Sequence, residues 1–149
     1  MNKNYELLME VIDPITDKYL ESGFGCLNDI ELVLLSVWML EVEVNNGGFN
    51  QFYWNSAGDV ANQVVHSLQT IGASKTAEIV SDANRLFGEA GPPLDRQERQ
   101  SKLEQIAVNL VEEFESLDLR FYEYPHNLEE LMYQYAKTFN KALHLTNCK

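Results

Sequence analysis

Apolar residues recur along this chain at intervals of three and four, the spacing that lines one face of an α-helix. Tyr5, Leu8, Met9 and Ile12 mark a short first helix. Pro14 is expected to break or restart it, because proline has no N–H to donate and its ring crowds the preceding turn. Asn28 with Glu31 three residues on has the form of a capping box. The stretch that follows, to about Val44, is apolar nearly all round, with Ile30, Val33, Leu34, Val37, Trp38 and Leu40. A helix without a polar face belongs at the centre of a bundle. It should stop at Asn45-Asn46-Gly47-Gly48, where the asparagines and glycines tolerate the left-handed backbone that ends helices.

Beyond that turn, 49–54 reads as a short aromatic helix or turn, punctuated by Ser56-Ala57-Gly58-Asp59. A helix is predicted over about 60–71, ending at Gly72, and another from Ser74 to about Phe87. Gly88 and Gly91-Pro92-Pro93 mark the main loop. Asp95 with Glu98 again resembles a capping box. It opens one long amphipathic helix, expected over 95–118, through Leu103, Ile106, Ala107, Leu110, Val111, Phe114 and Leu117. After Pro125, Asn127 caps a last helix with Leu128, Leu131, Met132, Tyr135, Phe139 and Leu143 on one face. Only 119–124 is doubtful enough to suggest a strand. The prediction is an all-α, single-domain helical bundle over 1–149, with about six to seven helices around one central apolar helix.

Composition changes what such a bundle can bind. The 149 residues carry 23 Asp and Glu against 11 Lys and Arg, a net charge of −12. Phosphate backbones and anionic membrane surfaces repel that charge, so neither direct nucleic-acid binding nor membrane association is expected. The 45% apolar content argues against disorder. The longest apolar stretch, Leu32 to Leu40, is far short of a membrane span. The first residues resemble neither a signal peptide nor a transit peptide, and a cytoplasmic location follows as an expectation. Cys26 and Cys148, with no C-x-x-C spacing, are read as reduced thiols.

Little in the chain suggests catalysis. His66, His126 and His144 have no second histidine one turn away, and no paired cysteines, phosphate-cradling glycine loop or nucleophile motif is present. No catalytic residue, metal or cofactor is predicted. One segment stands apart, from Glu41 to Ser56, where carboxylates and amides follow the most apolar helix beside four aromatics. Glu41, Glu43, Asn45, Asn46, Gly47, Gly48, Phe49, Gln51 and Asn55 could line a ligand pocket with Glu43 as its polar anchor. They could equally form a hydrogen-bonded corner that sets how two helices meet, since a buried carboxylate needs donors and these amides supply them.

The pattern Glu43-x-Asn45-Asn46-Gly47-Gly48-Phe49-x-Gln51-Phe52-x-x-Asn55-Ser56 resembles the signature of a bacterial family named after a DNA-mimicking member, DNA mimic protein 19. The resemblance implies an all-α acidic domain, capable of dimerising, that occupies the DNA-binding face of a transcription factor. Mimicry belongs to that member and not to the Asn-Gly-Gly-Phe motif itself. Charge is unevenly spread in a way that bears on this. Residues 1–50 and 104–130 each carry −7, residues 51–103 carry −1, and 131–149 carry +3. Glu104, Glu112, Glu113, Glu115, Asp118, Glu123, Glu129 and Glu130 crowd the second acidic segment and are the candidate partner-binding residues. On one continuous helix Glu104, Glu112 and Glu115 would share an arc of roughly 80°. Duplex phosphates are spaced more regularly, at about one charge per 1.7 Å of axis, so one helix cannot copy them alone.

The same residues also fit a solvated face that keeps an acidic protein soluble. Three further readings stand beside mimicry. One is an immunity or antitoxin-like inhibitor of a basic toxin, another a small-molecule site on Glu41, Glu43, Asn46 and Gln51, and the last a purely structural module.

Overall fold

The computed structural model describes residues 2–139. Among them are seven α-helices and two short 3-10 helices, with no strand. Helix α1 spans Lys3–Ser22, and a 3-10 turn at Phe24–Cys26 leads into α2, Asp29–Trp54. A second 3-10 helix at Ser56–Val60 precedes α3 (Ala61–Thr70) and α4 (Ser74–Arg85). The main loop then leads to α5 (Arg96–Asn109), α6 (Val111–Tyr122) and α7 (Leu128–Thr138).

The apolar helix is central, as its lack of a polar face requires. Helix α2 packs against α1, α3, α5, α6 and α7. Leu34, Leu35, Val37, Leu40 and Val44 lose all their solvent exposure, and full burial of such a side chain contributes roughly 1.5–3 kcal/mol. Its interior hydroxyls are satisfied, since Ser36 Oγ lies 3.1 Å from Val33 O and 2.9 Å from Ser67 Oγ and Tyr53 Oη donates to Asn84 Oδ1 at 2.7 Å. The capping box forms in full. Asn28 Oδ1 accepts from Glu31 N at 2.8 Å, and Glu31 Oε1 accepts from Asn28 N at 3.0 Å. Asp95 and Asn127 cap α5 and α7 with one half of that arrangement, accepting from Glu98 N and Glu130 N.

Three local expectations are corrected, and one doubtful segment resolves as helix. Pro14 lies inside α1 without ending it. Both Pro14 and Glu10, whose carbonyl it cannot bond, are on the exposed side, so water can take the orphaned acceptor. The doubtful segment 119–124 is largely helical, in line with the all-α reading, and its Phe121 is buried in the core. The helix expected over 95–118 is two helices, broken at Leu110 (φ −118°, ψ 34°). Neither glycine nor proline marks that break. It falls where α5, seated on α2 and the second 3-10 helix, gives way to α6, seated on α2 and α4. Glu104 is therefore on a different helix from Glu112 and Glu115, and their shared arc does not exist. Finally, Cys26 is disulfide-bonded rather than a reduced thiol. Cys148, His144 and Leu143 lie outside the described residues.

Candidate functional site

The asparagine–glycine turn is where α2 changes direction. Gly47 (φ −155°, ψ 21°) and Gly48 (φ 73°, ψ −175°) leave helical geometry, and the helix resumes through Phe49 to Trp54. Gly48 occupies a region that only glycine enters without strain. A Cβ there would also sit 2.5 Å from Asp118 Oδ2. That closeness has a purpose, because Asp118 Oδ1 accepts from Phe49 N at 2.8 Å. The carboxylate thus serves the first free N–H of the resumed helix, where negative charge is favoured. Burial raises the Asp118 carboxyl above its ordinary value, repulsion from Glu115 adds to this, and the Phe49 N–H offsets part of it.

The amides of the segment close the corner from the other side. Gln51 Nε2 and Asn55 Nδ2 both donate to Glu43 Oε2, at 2.9 and 2.8 Å. Asn46 Nδ2 donates to Gln51 Oε1 at 3.1 Å. Tyr122 Oη donates to Val44 O at 2.9 Å, tying α6 to the last turn before the glycines. Glu41 faces elsewhere and accepts from Tyr124 Oη at 2.7 Å. That hydroxyl in turn accepts from Leu128 N at 3.0 Å, at the start of α7. Burial raises the Glu41 carboxyl, the Tyr124 hydrogen bond lowers it in part, and the nearby charge of Glu129 pushes it up again. Asn45 is exposed, and Phe49 is buried edge-on against Phe121 at 5.9 Å.

A buried arginine holds the far end of this segment. Arg99 is fully buried and donates to Tyr53 O, Asn55 O and Asp59 Oδ1 at 2.7, 3.1 and 2.7 Å. It also reaches Pro93 O and Leu94 O in the main loop. Gly58 makes room for it, since a Cβ there would lie 2.7 Å from Arg99 Nε. Partial burial opposes ionisation of Asp59, but Arg96 and Arg99 outweigh it and hold the carboxyl below its ordinary value.

The candidate partner-binding residues divide into two groups. Glu104, Glu112, Glu113, Glu115 and Glu123 are exposed. Among the described residues they form no ion pair, whereas Asp59, Asp82 and Glu31 do. The other three are partly buried and engaged. Asp118 holds the corner, Glu129 Oε1 accepts from Asn2 at 3.4 Å, and Glu130 accepts from Asn4 at 2.8 Å and Gln134 at 2.9 Å. Residues 1–50 and 104–130 therefore meet where the start of α1 lies beside α7. Val111, Leu119 and Tyr122 are exposed among the α6 acids, at 50, 65 and 47%.

Trp54 is the exposed aromatic of the segment, at 42%, whereas Phe49, Phe52 and Tyr53 are fully buried. It lines an open groove of about 410 Å3 with Asn50, Gln51, Asn55, Leu103, Glu104 and Ala107.

The family model of the DMP19-like protein matches residues 25–139, from the 3-10 turn before α2 to the end of α7. The chain belongs to the DMP19-like family. No curated protein and no solved structure matches it. Within this DMP19-like domain the Glu43–Asn55 signature forms a hydrogen-bonded corner, and the groove runs along one edge of it. Among the described residues no cluster of His, Cys, Asp and Glu is arranged to hold a metal, and no helix is long and apolar enough to cross a membrane. His66 is exposed, and His126 Nε2 accepts from Lys75 N at 3.1 Å.

Sequence reasoning missed Arg99 and Asp59, and it missed the structural part Asp118 plays in the DMP19-like corner. Arg99 sits in an otherwise polar run, Arg96-Gln97-Glu98-Arg99-Gln100, where nothing local distinguishes a buried cation from an exposed one.

Proposed function

We propose that this DMP19-like domain acts without catalysis, in the cytoplasm, as an acidic decoy. Its carboxylates on α5, α6 and the turn before α7 occupy the basic DNA-binding surface of a transcription factor or other DNA-binding protein and compete with DNA. The observation that carries this reading is the set of five exposed glutamates, Glu104, Glu112, Glu113, Glu115 and Glu123, none of them ion-paired among the described residues. They lie in a segment carrying −7, in a chain of the family whose namesake mimics DNA. A structural carboxylate is held by donors, as Glu43 and Asp118 are; these five are open to an incoming cation. Long-range attraction would speed encounter and weaken as salt rises. A second copy of the chain would extend the charged surface beyond the reach of one helix.

The test is competition. Basic DNA-binding proteins captured on the chain at low salt are challenged with duplex DNA, which should displace them. Combined Glu112→Lys, Glu113→Lys and Glu115→Lys substitution should weaken capture by about tenfold or more, a loss of at least about 1.4 kcal/mol, with helix content unchanged by circular dichroism. If DNA does not displace the captured protein, the decoy reading fails. Undiminished capture by the variant removes α6 from the interface.

A further inference from the structure

The groove beside Trp54 has a chemistry of its own. The geometry points to it as a seat for one arginine side chain presented by a protein partner, and this goes beyond the decoy reading while resting on its basic partner. Its floor is apolar, from Leu103 and Ala107 on α5, and its wall is the exposed indole of Trp54 at the end of α2. Gln100 Nε2 donates to Trp54 O at 2.8 Å, so the two elements that form the groove are tied to each other.

The polar atoms left to the groove select the sign of the ligand. Gln51 and Asn55 have turned their amide nitrogens to Glu43. The Asn55 side-chain oxygen, Oδ1, carries no protein hydrogen bond among the described residues, and Glu104 is an exposed carboxylate without an ion pair there. The one charged group facing the groove is thus an acceptor, Glu104, beside the neutral amides and the Trp54 indole N–H. A phosphate or carboxylate would meet the charge of Glu104 with no cation in the lining to offset the repulsion, whereas a donor-rich cation would meet an opposite charge. Arginine fits best of the cationic side chains. Its planar guanidinium can lie on the Trp54 face while its edge donates to Glu104, and its aliphatic stem can lie along Leu103 and Ala107. The volume of about 410 Å3 is within the usual range for a ligand cleft.

The experiment uses the full chain and the blocked tripeptide acetyl-Gly-Arg-Gly-amide. The chain has two tryptophans, so two indole N–H signals report on binding in an 15N-labelled sample. The Trp54 signal should shift saturably and the Trp38 signal should stay in place. Glu104→Gln, at an exposed residue outside the core, should weaken binding by about two- to fivefold, and Trp54→Ala by a similar factor. The glutamate tripeptide should not bind, and the lysine tripeptide should bind more weakly than the arginine one. A shift of the same size with the glutamate peptide, or an affinity unchanged in Glu104→Gln, overturns the proposal. Equal affinity for lysine overturns the assignment to arginine. The two readings fail separately. If Trp54→Ala and Glu104→Gln leave capture of a DNA-displaceable partner intact, the groove is refuted and the decoy stands. If the arginine peptide binds as described but no captured protein yields to DNA, the groove stands and the decoy falls.

Discussion

Replacing Gly48 by alanine should be among the most damaging single-methyl additions to this fold. Two independent costs meet at that atom. With φ at 73° and ψ at −175°, an L-residue is forced into a region that costs about 1–3 kcal/mol. The new Cβ would lie 2.5 Å from Asp118 Oδ2 and 2.9 Å from its Cγ, so the carboxylate must withdraw. Withdrawal loosens the 2.8 Å bond to Phe49 N, and a hydrogen bond to a charged group contributes about 1.5–3 kcal/mol. Because Asp118 is only partly buried, the lower end of that range applies. The total is about 2.5–4.5 kcal/mol, a large share of the roughly 5–15 kcal/mol that holds a domain folded. Urea denaturation followed by far-ultraviolet circular dichroism measures it directly, and the melting temperature should fall by about 8–14 °C. The double-mutant cycle isolates the clash. In an Asp118→Ala background, Gly48→Ala should cost about 1–2 kcal/mol less, because only the backbone strain remains. A Gly48→Ala protein within about 0.5 kcal/mol of the parent would refute the strain argument, and strict additivity with Asp118→Ala would refute the clash.

Two further outcomes follow from the charged groups. Arg99→Met should destabilise by about 1–3 kcal/mol, since it takes the side-chain donor from the Tyr53 carbonyl and leaves Asp59 with Arg96 alone. Arg99→Lys should recover little, because a single ammonium cannot span acceptors that the guanidinium reaches from three nitrogens; equal stability of the lysine variant in denaturant titrations would contradict this. Glu41 supplies a pH dependence. Its folded pKa lies above the ordinary 4.5, so the folded state holds this proton more tightly and stability falls as pH rises from 4.5 through the folded value. Glu41→Gln keeps an acceptor for Tyr124 and removes the titration. It should therefore raise the melting temperature at pH 7, with the gain vanishing towards pH 4; a gain independent of pH would show that burial of the charge is not its source.

How much of this was legible in the sequence divides by distance along the chain. The caps at Asn28, Asp95 and Asn127 and the end of the apolar helix at Gly47-Gly48 are written within three or four residues of the groups they serve. Such features can be read from a string because the hydrogen bonds that make them are local. The all-helical class and the central place of 29–44 follow from the same short-range spacing, since a helix apolar all round has no face to turn to water. The uneven charge and the family signature were likewise visible without coordinates.

Tertiary structure alone decided the rest. The interruption at Leu110 comes from two halves of one apolar stripe meeting different neighbours, and Pro14 survives inside α1 because its side of the helix is open to water. Asp118 is drawn out of the acidic run to serve a backbone N–H 69 residues away, and Arg99 becomes a buried cation because its acceptors Tyr53 and Asn55 lie 46 and 44 residues before it. Composition counts Asp118 and Glu115 as the same charge, yet one is held in a corner and the other faces solvent. Short-range pattern was enough for the all-helical class, the caps at Asn28, Asp95 and Asn127 and the amount of charge. Only the packing of α5 and α6 on α2 decided which charges are structural and which are left facing solvent, because a carboxylate's role depends on the donors that the fold brings to it.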